Sequence, residues 1–163
     1  MEFSHFNEYG EAMMVDIANK DITHRQAIAE GTIRMNEECF KKITDKTIKK
    51  GDVLGVAKIA GIMGAKKCSD LIPLCHQINL NKVDIEFKLL EESHEIKVIV
   101  ITSTDAKTGV EMEALVGVNT TLLTIYDMCK AIDKSMEIHS IHLVEKIGGK
   151  SGRFINESIK NDR

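Results

Sequence analysis

The 163-residue sequence predicts an α+β fold in which helices cover one face of an antiparallel sheet, in the order β-α-β-β-α-β. Three observations predict it. Four stretches of the chain alternate apolar and polar side chains with the two-residue period of a strand. Two longer stretches carry their apolar residues at the three-to-four spacing of a helix instead. The helical stretches fall after the first and third strand candidates, which is the split βαβ arrangement of ferredoxin-like folds.

The elements follow in order. Ala12–Ile17 reads as a short strand. Within residues 25–35, Ala27, Ala29, Gly31, Ile33 and Met35 alternate with Gln26, Glu30, Thr32 and Arg34, so a strand is expected despite the interruption at Ile28. Asn36 then caps a short helix reaching about Ile43, with Glu37 and Glu38 in its first turn. Asp52 caps a second helix, Val53–Cys68, in which Val56, Ile59, Ala60, Met63 and Lys67 share helical spacing. Gly55, Gly61 and Gly64 weaken that helix intrinsically but permit close approach of another backbone.

Two strands come next. Val83, Ile85, Phe87 and Leu89 alternate with charge, and Ile96, Val98 and Val100 repeat the pattern beyond a polar turn at Glu91–His94. Gly109 precedes the longest helical stretch, Val110–Lys134, patterned by Leu115, Val118, Leu122, Ile125 and Met128. A last alternating segment, Ile138–Ile147, closes the sheet. With one proline, no low-complexity tract and no linker, residues 1–163 read as a single domain with its core over about 25–147. The sheet face away from the helices also carries apolar Ile99 and Ile101, so homo-oligomerisation is expected.

Composition excludes several functions. At 43% hydrophobic residues the chain is not disordered. A net charge of -3, with Lys and Arg dispersed, offers no general basis for binding nucleic acid, though a local basic pocket for a phosphorylated ligand remains compatible with it. No apolar run spans a membrane. Cys39, Cys68, Cys75 and Cys129 lack metal-ligand or redox spacing, so no metal is expected. Free thiols and an N-terminus without a signal-peptide pattern point to the cytoplasm.

Several motifs fail on inspection. Gly148-Gly149-Lys150-Ser151-Gly152 resembles the end of a P-loop, but Val144 stands where the first glycine belongs, and the segment follows a strand near the C-terminus. It reads as a phosphate-contacting loop or a tail turn. Lys107-Thr108-Gly109 matches one element of penicillin-binding enzymes, yet no Ser-x-x-Lys supplies the nucleophile, which leaves a turn into the long helix. Cys75 reads as a small buried residue rather than a catalytic thiol. His76 follows the only proline, Pro73, in a loop, where functional groups concentrate. Asp127 and Lys130, three residues apart on the long helix, share a face. A surface ion pair is their plain reading. Flanking Ile125, Met128 and Ala131 suggest partial burial and tuned proton affinity instead.

Five motifs stand in the order and spacing of one family: Lys50-Gly51-Asp52-Val53, Asp70-Leu71-Ile72-Pro73-Leu74-Cys75-His76, Lys107-Thr108-Gly109-Val110-Glu111-Met112-Glu113-Ala114-Leu115, Leu123-Thr124-Ile125-Tyr126-Asp127-Met128-Cys129-Lys130-Ala131 and Gly148-Gly149-Lys150-Ser151-Gly152. From Met14 to Gly152 the chain resembles the MoaC-type cyclic pyranopterin monophosphate synthases of molybdenum cofactor biosynthesis. The resemblance implies a ferredoxin-like subunit, usually assembled as a hexamer of dimers with shared sites, working downstream of a radical cyclase. It implies a lyase that converts cyclised dihydro-GTP to cyclic pyranopterin monophosphate and releases pyrophosphate.

By that resemblance Asp127 is the catalytic acid/base and Lys130 its partner, with Lys50 and His76 also catalytic. Leu74, Cys75, His76, Met112, Glu113, Arg25, Lys66 and Lys146 would bind substrate. Gln77 departs from the family, which commonly has proline there, and this bears on how the loop aims His76. No organic cofactor or resident metal is implied; Mg2+ accompanying the triphosphate is compatible with the reaction. The chemistry fits, because attack of an internal hydroxyl on phosphorus needs cations for the departing charge and groups that move protons.

On one continuous helix Glu113 and Asp127 lie about 21 Å apart along the axis. Either Glu113 precedes the helix proper, or each site combines the near end from one subunit with the far end from another. A ferredoxin-like module sensing a small anion is the competing reading, and it would need the basic loops but not Asp127 or Lys130.

Overall fold

The computed structural model describes residues 5, 7, 9–49 and 51–157. The first strand, β1 (Thr23–Arg34), is central in a five-stranded antiparallel sheet of order β2-β3-β1-β4-β5. The others are β2 (Lys82–Leu90), β3 (Glu95–Ala106), β4 (Glu137–Ile147) and the two-residue β5 (Phe154–Ile155). The first four give the ferredoxin-like arrangement; β5 is an edge addition without a pattern of its own in the sequence.

The helices are α1 (Glu37–Thr44), α2 (Val53–Lys66), the single turn α3 (Cys68–Leu71) and α4 (Glu111–Cys129). Both expected caps form. Asn36 Oδ1 accepts from the Cys39 N–H at 2.8 Å, and Asp52 Oδ1 from the Gly55 N–H at 3.0 Å. The glutamates Glu37 and Glu38 pair with Lys41 and Lys42 one turn on.

Packing explains the small residues. On its helix-facing side β1 presents Ala27, Ala29 and Gly31, all buried, which lets α4 lie close. A Cβ at Gly31 would meet side chains of Ile141, Val118 and Leu122 at 2.8–2.9 Å. Gly61 does the same between α2 and α4, where a Cβ would fall 2.0 Å from Thr121 Oγ1 and 3.1 Å from the Gly117 carbonyl. The core then closes around Ile33, Ile85, Ile96, Val98, Val100, Val118, Leu122 and Ile125.

Three expected boundaries move. Ala12–Ile17 is no strand; only Ala12 makes an isolated bridge. Its polar groups go elsewhere, the Val15 carbonyl to His76 and the Ala18 N–H to Asp16 Oδ1 at 2.8 Å. The second helix stops at Lys66 rather than Cys68, where the backbone swings at Lys67 (φ −104°, ψ 15°) and turns Cys68 inward. The long helix ends at Cys129 rather than Lys134. There the buried Asp133 carboxylate takes the Asn36 N–H at 2.7 Å and the Ser135 N–H at 2.8 Å, so the side chain replaces helical partners.

The helical stripe on α2 also faces outward. Val53, Ala57, Gly61, Gly64 and Ala65 are buried, whereas Val56, Ile59 and Met63 are exposed. On the opposite side of the sheet Ile99 and Ile101 are half-buried, beside a Glu30 carboxylate held by Lys97 at 3.2 Å and His142 at 3.3 Å. Among the described residues no helix is long and apolar enough to cross a membrane.

The Gly61 contact yields a stability prediction. Gly61→Ala gains up to about 1 kcal/mol of helix propensity, but it forces Thr121 and Ile85 aside, and overpacking of this kind costs about 1–3 kcal/mol. The expected net result is a lower urea midpoint with an unchanged slope. A variant as stable as the parent would contradict the close-packed crossing.

Candidate active site

Three segments converge at one end of the sheet. The start of β1, the Lys107–Gly109 turn leading into α4, and the glycine loop after β4 enclose a cleft of about 600 Å3. Antiparallel pairing explains the convergence, since Arg25 sits opposite Thr104 on β3 and next to Gln26, which pairs with Ile147 on β4. Arg25 Nη2 donates to the Lys107 carbonyl at 3.5 Å, while its buried Nε has no hydrogen-bond partner among the described residues. Gly148 and Gly149 adopt positive φ (103° and 75°), and a Cβ at Gly149 would fall 1.8 Å from Arg25 Nη1. The loop closes on the guanidinium because it has no side chains there.

Lys20, Lys107, Lys146 and Lys150 line the cleft with Arg25, against Asp21 and Glu111. Lys146 Nζ donates to Ser151 Oγ and stands 3.7 Å from the Glu111 carboxylate. Five cations, an unpartnered guanidinium N–H and a glycine loop suit a polyanion such as a triphosphate.

A smaller cavity of about 140 Å3 adjoins it, sharing Thr108, Gly109 and Glu111. Leu74, Cys75, His76, Met112 and Glu113 line it, so these five expected substrate contacts meet in one place. His76 Nε2 lies 2.7 Å from the Val15 carbonyl. Glu113 is 4% exposed on the first turn of α4, and burial raises its proton affinity above the ordinary glutamate value. The Cys68 thiol lies beside both Glu113 and Cys75. Burial pushes both thiols up, which keeps them protonated and agrees with Cys75 as a contact rather than a nucleophile.

Asp127 and Lys130 stand apart from both cavities. Lys130 Nζ donates to Asp127 Oδ1 at 2.6 Å, and their side chains are 53% and 66% exposed, so the expected partial burial is wrong. Ile125 and Met128 turn to the core while Asp127 follows the exposed flank carrying Leu123. Its hydrogen bond to Asp127 raises the proton affinity of Lys130. Lys66 lines a separate depression with Gln77 and Ile78. Lys50 lies outside the described residues.

Sequence reasoning missed Lys20, Lys107, Glu111 and Cys68. Lys107 sat inside a motif read as a turn and Glu111 inside the family motif Lys107–Leu115, so their signal was available; Lys20 and Cys68 had none. Among the described residues no group of three or more His, Cys, Asp or Glu side chains is placed to hold a metal ion.

The buried Glu113 carboxyl predicts a pH dependence. Its raised affinity means that the folded chain holds this proton more tightly, so the contribution to stability is full at low pH and is lost as pH rises through the folded value. Glu113→Gln should therefore melt above the parent at about pH 8, with the difference closing towards about pH 4. A parent that melts higher at the alkaline end would contradict the burial argument.

Comparison with known proteins gives a consistent answer. The model of the MoaC family matches residues 14–149. The cyclic pyranopterin monophosphate synthase of Clostridium botulinum (strain Alaska E43 / Type E3) is 58% identical over 156 residues, covering 96% of this chain and 98% of its own. Its namesake in Peptoclostridium acidaminophilum is 56% identical over 98% of this chain and 100% of its own. That of Clostridium acetobutylicum is 55% identical over 93% and 94%. With a ferredoxin-like sheet and two joined cavities at one end of it, this chain belongs to the MoaC family.

Proposed function

We propose that this chain is a lyase that converts 3',8-cyclo-7,8-dihydroguanosine triphosphate into cyclic pyranopterin monophosphate and pyrophosphate. The observation that carries the proposal is the pair of joined cavities, one basic and one small and mixed, in a chain of this family. The basic cleft takes the triphosphate, where Arg25, Lys146, Lys107 and Lys150 meet the charge that builds on departing pyrophosphate. The small cavity takes the ring system, with Leu74, Cys75 and Met112 as its walls and His76 and Glu113 as its proton-bearing groups. Mg2+ arriving with the triphosphate would share in neutralising it.

Asp127 and Lys130 enter as the acid/base pair supplied by a second copy of the chain. Glu113 lies within α4, not before it, so the helix separates the two groups by about 21 Å and one substrate cannot touch both on one chain. Exposed Val56, Ile59 and Met63 on α2 and Leu123 on α4 form an apolar surface that a second copy would cover. A hexamer with shared sites accords with this arrangement, as does a cytoplasmic place behind a radical cyclase. Lys50 and Lys66 complete the set of site residues in this reading.

Incubation with the cyclised nucleotide should release one pyrophosphate for each cyclic pyranopterin formed. Asp127→Ala and Lys130→Ala should each lower turnover by about 100-fold or more, with unchanged circular dichroism and retained ligand binding. Full turnover in both variants would sink their catalytic assignment.

A further inference from the structure

We propose that His76 works as the Nε2–H tautomer, with Nε2 committed to the Val15 carbonyl, so that the imidazole exchanges protons with a bound molecule through Nδ1 alone. The inference rests on the reading of His76 as a substrate contact and adds to it the atom that acts and the segment that selects it.

Donor chemistry selects the tautomer. A backbone carbonyl has lone pairs and no proton to offer, so an imidazole nitrogen 2.7 Å away must be the donor. In the neutral ring this places the single proton on Nε2 and leaves Nδ1 as the acceptor. In the imidazolium both nitrogens carry protons, and the Nε2 proton stays on Val15. In either state the proton that comes and goes is the one on Nδ1. Other histidines are held differently. His24 presents Nδ1 to the Asp105 carboxylate, an acceptor that selects the opposite tautomer, and His139 Nδ1 faces the Ser140 hydroxyl, which can donate or accept.

The carbonyl is itself held in place. Val15 belongs to the segment that the alternating pattern suggested as a strand, and no strand ladder fixes it. Side chains anchor the residues that follow it instead. Asp16 Oδ1 accepts from the Ala18 N–H at 2.8 Å, and Lys107 Nζ donates to the Ala18 carbonyl at 2.5 Å. Residues 15–18 therefore run as a strap from the His76 loop to the turn that opens α4. His76 and Lys107 also line a common depression under that strap. Gln77, which lacks the ring constraint of proline, leaves the loop backbone freer to rotate. The Val15 hydrogen bond supplies an orienting constraint on the ring from outside the loop. Val15 is thus a positioning residue that acts through its main chain, comparable to the carbonyls that orient metal-binding histidines.

The test is long-range proton–nitrogen NMR on the full chain labelled with 15N-histidine, above the pH at which the rings titrate. The chain has six histidines, so the His76 signals are assigned by their loss in His76→Gln. A pyrrole-type Nε2 and a pyridine-type Nδ1 are expected; the reverse pattern overturns the proposal. Two variants give an independent reading. The amide of His76→Gln reaches the Nε2 position and keeps a donor for Val15, whereas that of His76→Asn mimics Nδ1 and loses it. The Gln variant should melt like the parent yet turn over about 100-fold more slowly, for want of the Nδ1 base. The Asn variant should melt lower. Parent-like turnover in His76→Gln, or equal destabilisation of both variants, overturns the assignment. A parent inert towards the cyclised nucleotide would refute the reaction, while the NMR result would still decide the tautomer.

Discussion

The rise of one unbroken helix governs how this chain can work. α4 spans 19 residues, and its buried side chains, Ala114, Val118, Leu122 and Ile125, are fixed on the sheet. Its neighbour α2 is held against it where Gly61 meets Gly117 and Thr121. A helix packed on both sides cannot shorten to bring its ends together. Its first turn therefore delivers Met112 and Glu113 to the cavities, and its last turn presents Asp127 and Lys130 to solvent far from them. The pair alone, at exposures of 66% and 53%, is an ordinary surface ion pair of small energetic value. The proposed catalytic role of the pair therefore requires a second chain.

The cleft end shows how one short segment places two carboxyls in different surroundings. Glu111 faces the open basic cleft, 3.7 Å from the Lys146 ammonium. Glu113, two residues on, is turned into the cavity wall beside the Cys68 thiol and favours its proton. Of two carboxyls two residues apart, one thus meets a cleft cation and the other is buried. The Arg25 Nε is buried without a hydrogen-bond partner among the described residues.

Much of this was legible in the sequence. Alternation located β1 to β4 within a few residues, and Asn36 and Asp52 announced their helices, because period and capping are local properties. Five motifs in register identified the family, and seven expected contacts, Arg25, Leu74, Cys75, His76, Met112, Glu113 and Lys146, line the two joined cavities. What failed was tertiary. Asp127 looked half-buried beside Ile125 and Met128, yet adjacent helical positions face different ways. Val56, Ile59 and Met63 have the spacing of a core stripe, but α2 buries its glycines and alanines instead, since only small residues allow the close crossing with α4. The strap at Val15 looked like a strand because apolar content does not reveal whether a sheet edge is available.

Hybrid assembly tests whether two chains build each site. Asp127→Ala removes the helix-end pair, and Lys146→Ala removes a cleft cation; each alone should be nearly inactive. Dissociated together and reassembled, they should regain measurable turnover, because some interfaces then join an intact cleft from one chain to an intact Asp127 from the other. A mixture as inactive as its components, or a monomeric form with full activity, would contradict the claim.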